Sequence, residues 1–451
     1  MAWLQLRVYT KHPEFAEEVL LAHGASAVSF IDAMDEPVLE PAPGATPLWT
    51  NTVTLGLFAD QTDLTPVVAS LKEFLPESDD LRTEIGLVED RDWVRVWLKD
   101  CPPLRFGTQD RPGLWVVPRE RAQEVREALA TVVQLDPGLA FGTGTHPSTA
   151  LCLSWIADRD LEGKNILDYG CGSGILAIAA LKRGAARAVC ADIDAQALTA
   201  ARDNAAVNDV AKRLIALPAG PDFIPFPADV VFANILANPL RSLAPLLASS
   251  IKTDGRVVLA GLLEDQAAEV RVAYQPWFDF EPVALTDGWA RLSGRCRAPA
   301  LINELQISDR LTTAGQPQPD QLPALADAGF HTVINLAPLS SPNAFADEGE
   351  QVSALGLRYV HIPVKWEAPS AGNLQEFFAA MEELPERKVF VHCAMNKRVS
   401  AFVFLHRVLH QGMAPEDARR DLLRIWNPNP VWAEFIERML MERHPEFRVY
   451  K

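Results

Sequence analysis

Residues 3–9 alternate apolar and polar side chains with the period of two expected of a strand buried on one face. Residues 14–22 switch to helical spacing, and residues 25–31, after Gly24, return to a strand pattern. A second succession follows, with a strand over 51–58, a helix over 64–74 and a strand over 82–88. Strand-helix-strand followed by strand-helix-strand is the order of a ferredoxin-like α+β sandwich. Residues 36–50, between the halves, are rich in proline, which predicts an exposed loop. Residues 90–129 read as a connector: 92–97 is amphipathic, Cys101-Pro102-Pro103 breaks the run, and 121–132 has helical spacing.

A different rhythm starts at Asn165. Short apolar runs at 165–167, 188–191, 229–233 and 256–260 alternate with helical segments at 175–183, 195–208 and 240–250. Parallel strands need crossover connections, so this alternation predicts a parallel α/β sheet. The pattern closes near 289–295, and 297–300 is a short junction. A further α/β pattern has strands over 331–336, 358–362 and 389–392 and helices over 374–384 and 400–410. The expected organisation is a sandwich over 1–89, a connector over 90–129, an α/β domain over 130–297 and an independent α/β domain over 300–451.

At 451 residues the chain exceeds what one core ordinarily holds, which agrees with that division. Hydrophobic residues make up 48% and charged residues 22%, the composition of a soluble globular protein. The net charge of −17 repels phosphate backbones, so no direct binding to DNA or RNA is expected, whereas a basic protein partner is tolerated or attracted. No apolar stretch is long enough to span a bilayer, and the opening residues lack the regions of a signal peptide. A cytoplasmic chain without membrane contact, acting as a monomer, is the expectation. The cysteines Cys101, Cys152, Cys171, Cys190, Cys296 and Cys393 are scattered with no CxxC pair, so neither a metal site nor a disulfide framework is expected.

Ligands of open parallel sheets bind outside the carboxyl ends of the strands, where the strand order reverses. Asp168-Tyr-Gly170-Cys-Gly172-Ser-Gly174 falls at such a place, between a strand and a helix. Its glycines allow a tight turn and bring bare backbone close to a ligand. Dehydrogenase sites use GxGxxG, and this turn does not. Asp192 ends the next strand, eighteen residues after Gly174, where a carboxylate can accept hydrogen bonds from both hydroxyls of a ribose. Gly170, Gly172 and Asp192 are therefore candidate cofactor residues, and Asp168 could hold water or an amine through its charge. Asp194 and Asp203 are balanced between a site role and simple solvation.

Asn234-Ile-Leu-Ala237 follows the strand at 229–233 and resembles the Asn/Asp-Pro-Pro-aromatic tetrapeptide of amino methyltransferases. A nitrogen nucleophile needs a free lone pair, and a lysine ammonium, with a pKa of about 10.4, has none. The Asn234 oxygen and a neighbouring carbonyl can accept hydrogen bonds from the amine and aim it, while apolar surroundings favour its neutral form. Asn234 is thus a candidate catalytic residue. A third constellation runs from Asp136 to Thr149, with four hydroxyl groups, three glycines and His146, and reads as a mobile polar loop able to fold over a cofactor.

Residues 1–297 resemble the PrmA family of bacterial methyltransferases that modify ribosomal protein L11. The segments that carry the resemblance start at Leu135, with the run Asp136-Pro-Gly-Leu-Ala-Phe-Gly-Thr-Gly-Thr-His146-Pro147, at Leu167, at Ala191 and at Ala233. The family closes on an Arg-x-x-Gly-Arg pattern like the one over 291–295. The resemblance implies a class I Rossmann-like methyltransferase fold and S-adenosyl-L-methionine as cofactor. It places the family's cofactor positions on Thr149, Gly170, Asp192 and Asn234. It also implies ribosomal protein L11 as partner, docked by the N-terminal domain. A flexible helix would then swing the catalytic domain over lysine ε-amines and the N-terminal α-amine.

The C-terminal domain carries Val389-Phe-Val-His-Cys393-Ala-Met-Asn396-Lys-Arg398-Val-Ser400. A Cys at a strand end, followed by a tight loop, an Arg and a helix, suits an oxyanion: amides and helix N-terminus face it, and the same field lowers the Cys pKa. The segment resembles the protein tyrosine phosphatase-like superfamily, as do Gly315-Gln-Pro317 and residues 363–369. Cys393 and Arg398 are the candidate catalytic pair, with Glu367 as a possible general acid. Four residues separate Cys393 from Arg398 where the usual loop has five, and Asn396 stands where glycine is common. The shorter ring leaves sulfur transfer or a smaller anion open. Two other readings stand beside a two-activity enzyme: a hydrolase with the methyltransferase part as docking platform, and a module that binds phosphorylated ligands without turnover.

Overall fold

Four sheets carry the fold in the computed structural model, which describes residues 2–34, 48–74, 80–89, 102–135, 144–221, 223–384 and 386–450. They fall into two compact units, Met1–Asp100 and Cys101–Lys451. In the first, β1 (Ala2–Tyr9), α1 (Pro13–Ala22), β2 (Ala27–Asp32), β3 (Thr52–Ala59), α2 (Thr65–Phe74) and β4 (Arg82–Glu89) form the expected sandwich. Its sheet is antiparallel in the order β2-β3-β1-β4, the ferredoxin-like arrangement. The alternation of β1 buries Leu6 and Val8 against Leu20 of α1 and Val67 and Leu71 of α2. Gly56 of β3 lets α1 close on the sheet, since a Cβ there would sit 3.0 Å from Leu20. Most of the proline-rich loop, with the amphipathic run at 92–97 and Cys101, lies outside the described residues.

The second unit begins where a connector was expected. β5 (Leu104–Phe106), β6 (Leu114–Val117) and β7 (Thr131–Gln134) form a three-stranded sheet, and Phe106, Leu114, Val116 and Val133 join the core of the neighbouring α/β fold. The helix expected over 121–132 is absent; residues 119–124 make a short 3-10 turn and Leu129 takes a left-handed backbone. A strong helix-forming composition is overridden by one carboxylate. Glu127 folds back to accept from Arg105 Nε (3.0 Å), Gly113 N (2.8 Å) and Trp115 Nε1 (2.6 Å). The Arg105 bond foremost, then Trp115 and Gly113, pull its pKa down to about 2.

Beyond it, α3 (Pro147–Ala157) leads into β8 (Asn165–Tyr169), α4 (Ile175–Lys182), β9 (Arg187–Asp192), α5 (Ala195–Val207), β10 (Leu214–Pro218) and β11 (Ala228–Asn234). The expected helix at 240–250 is two short pieces, α6 (Ala237–Ser242) and α7 (Ala244–Ser249). β12 (Ile251–Leu263), α8 (Ala267–Tyr274), β13 (Phe278–Phe280), β14 (Ala284–Thr286) and β15 (Trp289–Cys296) complete the layer. The sheet order is β10-β9-β8-β11-β12-β15-β13, parallel through β12 and antiparallel at β15. The order reverses between β8 and β11, so their C-terminal tips flank the switch point, as in a Rossmann-like methyltransferase fold.

The phosphatase-like part follows with β16 (Leu305–Ser308), β17 (Leu311–Ala314), α9 (Leu322–Asp327), β18 (Thr332–Asn335), α10 (Glu348–Ala354), β19 (Arg358–His361), α11 (Ala371–Glu382), β20 (Val389–His392), α12 (Lys397–Leu409), α13 (Pro415–Ile425) and α14 (Pro430–Leu440). β20 lies at the centre of the order β16-β17-β20-β18-β19, parallel to both neighbours. This part is packed on the preceding fold: Ala300 is buried in the α/β core, Thr253 donates to Asp320 at 2.7 Å, and Gln318 reaches the Ile251 carbonyl at 3.4 Å. Among the described residues no helix is long and apolar enough to cross a membrane.

Glu281, beside β13, ties three elements together by bonding Arg256 (2.6 Å), Arg159 (3.1 Å) and Ser293 (2.8 Å). Burial pushes its pKa up, but the Ser293 bond and the two guanidinium charges outweigh this and hold it below the ordinary range. Its stabilising contribution is complete above the ordinary carboxyl pKa and drains away as pH falls through the lowered one. Glu281→Gln should therefore cost roughly 1 kcal/mol at neutral pH, discounted for partial exposure. In urea melts the gap from wild type should close as the solution is acidified; a gap independent of pH would refute this role.

Candidate functional site

The glycine turn leaves β8 with three left-handed residues, Gly170 (φ 75°), Gly172 (φ 51°) and Gly174 (φ 76°). A Cβ on Gly170 would lie 2.3 Å from Cγ2 of Ile235, at the tip of β11, so the two tips approach as closely as bare backbone permits. The Gly170 amide donates to the Ala191 carbonyl at 2.7 Å, which fastens the turn to β9. Asp192 organises the tip of β9. Its carboxylate accepts from Gly172 N at 2.9 Å and from Asp194 N at 3.0 Å, and each oxygen keeps a second lone pair.

Asp168 is buried and accepts from Ala177 N at 3.1 Å. Burial pushes its pKa up to about 7, a rise opposed by the Ala177 bond and assisted by the charge of Asp192. Asp194 caps α5 by accepting from Gln196 N at 2.8 Å, a helix-end role, and Asp203 is exposed on that helix.

Asn234 is the last residue of β11. Its Nδ2 donates to the Thr149 hydroxyl at 3.1 Å, while its Oδ1 is buried with no hydrogen-bond partner among the described residues. Thr149 sits in the first turn of α3, not in a loop as expected: Pro147 opens the helix and His146 caps it by accepting from Ser148 N at 3.3 Å. His146 also stands edge-on to Trp289 with ring centres 4.4 Å apart, and burial lowers its pKa. The Asp136 end of that motif, residues 136–143, lies outside the described residues. Gly170, Gly172 and Asp192 thus form one cluster and Thr149 with Asn234 another, joined where Ile235 meets Gly170.

Sequence reasoning passed over the segment after β10. Ala219 N donates to the Asp192 carbonyl at 2.8 Å, and Phe223 packs edge-on against Tyr169 at 5.4 Å. The turn signal Gly220-Pro221 after a strand could have flagged it.

In the second candidate centre Cys393 follows β20 and Arg398 lies in the first turn of α12. The intervening carbonyls are tied outward: Ala394 O accepts from Gln316 N (3.2 Å) and Asn343 Nδ2 (3.3 Å), and Met395 O from Asn303 Nδ2 (3.0 Å). Trans geometry then turns the Met395 amide the opposite way, and the first amides of α12 have no carbonyl one turn earlier. Asn396 takes the left-handed conformation (φ 63°) and binds Asn303 O and the Thr313 hydroxyl, doing the work of the expected glycine. Arg398 is 9% exposed, stacks 5.4 Å from Trp366 and has a buried Nε without a partner among the described residues. A cleft of about 620 Å³ is lined by Cys393, Ala394, Lys397 and Arg398 beside Lys365, Trp366 and Glu367, with Cys393 itself buried.

Behind it, Glu348 of α10 was also missed. Fully buried, it pairs with His392 at 3.1 Å and accepts from Gln316, Asn335 and Tyr359. Burial raises its pKa, yet His392, Tyr359 and Gln316 outweigh that and hold it low. A single Glu at a helix start carries no local signal for this; only the fold brings its four partners together. Among the described residues no cluster of His, Cys, Asp and Glu could hold a metal.

Residues 2–297 match the family model described as ribosomal protein L11 methyltransferase (PrmA), and residues 295–428 match one described as a DSP-PTPase phosphatase fused to NAD+ kinase. The chain is 46% identical over 297 residues to a ribosomal protein L11 methyltransferase of Shewanella baltica, covering 65% of this chain and 99% of that one. It is 48% identical over 299 residues to the Aeromonas hydrophila protein of the same name, covering 65% and 99%. A crystal structure of a candidate phosphatase from Shewanella putrefaciens is 33% identical, covering 32% of this chain and 93% of that one, with a TM-score of 0.29.

The contact between the strand tips predicts that Gly170→Ala destabilises the chain by about 1–3 kcal/mol, combining left-handed strain with overpacking against Ile235. Thermal melting measures this; an unshifted midpoint would contradict the close approach.

Proposed function

Over residues 2–297 the chain belongs to the ribosomal protein L11 methyltransferase family, and from that membership we propose that it methylates ribosomal protein L11 with S-adenosyl-L-methionine, on lysine ε-amines and the N-terminal α-amine. The residues fit that cofactor. Gly170 offers bare backbone where a side chain would collide, Gly172 is held by Asp192, and the free lone pairs of Asp192 suit two ribose hydroxyls. Asp168, in its charged form, suits the cationic amino group of the methionine end. When bound, the sulfonium supplies an electrophilic methyl group.

The observation that carries the reading is the unpaired Asn234 Oδ1. A buried acceptor without a donor costs about 1–3 kcal/mol, which an incoming amine would offset. With Nδ2 turned to the Thr149 hydroxyl, the amide oxygen accepts a hydrogen bond from the incoming amine, leaving the nitrogen lone pair to point at the methyl. The apolar neighbours Ala233, Ile235 and Ala237 favour the neutral amine, so no strong base is required. The ferredoxin-like domain serves as the docking element for the ribosomal protein, and the chain works as a cytoplasmic monomer.

In the C-terminal cleft we propose phosphate monoester hydrolysis. Cys393 attacks phosphorus as thiolate, a sulfur–phosphorus bond forms as the phosphorus–oxygen bond breaks, and water then releases phosphate. Arg398 and the loop amides hold the oxygens, and Glu367, at the cleft wall, protonates the leaving oxygen. Sulfur transfer, or binding of phosphorylated ligands without turnover, are the competing outcomes.

Mass spectrometry of purified ribosomal protein L11 after incubation with the chain and labelled cofactor should show added methyl groups on amines. An unchanged mass would reject the assignment. Asp192→Ala should weaken cofactor binding by about 2–4 kcal/mol, through lost charged hydrogen bonds; calorimetry reading an unchanged affinity removes Asp192 from the ribose. Cys393→Ser should abolish hydrolysis of p-nitrophenyl phosphate, and hydrolysis that survives it discards Cys393 as nucleophile.

A further inference from the structure

Ile224 belongs to the methyltransferase fold, in the stretch between β10 and β11, yet it lines the C-terminal cleft together with Cys393 and Arg398. Its neighbours hold it there. Phe223 is buried edge-on against Tyr169, which ends β8, with ring centres 5.4 Å apart, and Pro225 is buried as well. With both flanking residues buried, Ile224 is left half-buried on the cleft side. The two folds also touch where Lys397, another cleft residue, donates to the Pro221 carbonyl at 3.2 Å. The phosphatase-like fold adds Trp366, Pro338 and Pro342 to the apolar lining. Trp366 is packed among the Trp426 ring (5.1 Å), the Trp432 ring (5.3 Å) and the Arg398 guanidinium (5.4 Å).

We propose that the methyltransferase fold completes the C-terminal cleft, with Ile224 as an apolar wall that selects phosphate monoesters carried on an aromatic or aliphatic body over free oxyanions. The inference rests on the reading of the Cys393–Arg398 loop as an oxyanion site, not on turnover there. Size is the first argument. A cleft of about 620 Å³ lies within the roughly 300–1,000 Å³ that holds a whole drug-sized ligand, whereas an oxyanion fills only the loop. The group that carries the oxyanion therefore meets the remaining walls. Chemistry is the second. The isoleucine side chain offers no hydrogen bond, and it contributes to binding only when apolar surface of the ligand covers it. An inorganic phosphate, or a sulfur oxyanion of similar size, leaves Ile224 in water and gains nothing from it. Ile224 is thus a specificity residue that touches the body of the ligand and not the reacting phosphorus.

The test is calorimetric titration of inorganic phosphate and of phenylphosphonate into the full chain, at a mildly alkaline pH at which both are dianions. Phenylphosphonate carries a ring on the same kind of oxyanion and has no ester bond to cleave. It should bind about tenfold tighter than phosphate, through burial of the ring. In Ile224→Asn, similar in size but polar, that preference should fall to about twofold while the phosphate Kd stays unchanged. Ile224→Ala, which removes the contact without adding polarity, should shrink it likewise, and Ile224→Leu should retain it. A preference undiminished in Ile224→Asn and Ile224→Ala overturns the wall role. Phosphate affinity that drops as far as phenylphosphonate affinity also overturns it, because the substitution then acts through the loop. Equal binding of the two probes by the wild type overturns the apolar selection and leaves the oxyanion site standing. Binding of neither overturns the oxyanion reading and this inference with it.

Discussion

One hydrogen bond, between the Asn234 side-chain amide and the Thr149 hydroxyl, holds the Asn234 side chain at the tip of β11. An asparagine can offer a donor or an acceptor, and the two recognise opposite chemistry. Thr149 is rigid because it lies in the first turn of α3, fixed by Pro147 and the His146 cap, and α3 is buried against the α/β core. The amide is held with Nδ2 on Thr149 and its oxygen buried, without a partner among the described residues, at the strand tip beside the switch point. The close approach of Gly170 to Ile235 fixes the distance between this acceptor and the glycine turn. Loss of either constraint would leave the same residues present but not aimed.

The fold was legible wherever pattern and connection agree. The β-α-β-β-α-β order of the first unit, the alternating strands after Asn165 and the cysteine loop after an apolar strand all follow from local periodicity, and the elements stand close to where it puts them. The failures have a common physical cause, tertiary partners that outweigh local preference. The run at 121–132 is a good helix former, yet Glu127 meets Arg105, Gly113 and Trp115, and the chain cannot be both helical and folded back onto them. Thr149 looked like part of a glycine-rich loop because glycines and hydroxyls precede it; the Pro147 start and the His146 cap were the overlooked helix signals.

Of the candidate site, the motif residues were legible because glycine turns and strand-end carboxylates have fixed local geometry. Asn396 in place of glycine was legible for the same reason, and its left-handed backbone bears the substitution out. What the sequence conceals is pairing over distance. Glu348 and His392 are separate in the chain but lie 3.1 Å apart, both buried, behind the cysteine loop, and Lys397 and Pro221 meet across two folds. The fusion is thus more than two folds on one string, because Ala300, Thr253 and Gln318 pack the C-terminal sheet against the methyltransferase layer.

The account stands on cofactor recognition at the adjoining tips of β8, β9 and β11. A crystal structure of the chain soaked with S-adenosylhomocysteine tests it most directly. The account predicts both ribose hydroxyls within hydrogen-bond distance of the Asp192 carboxylate and the sulfur facing the Asn234 side. A nucleoside lodged elsewhere, or an Asp192 carboxylate turned toward solvent beside it, would contradict it.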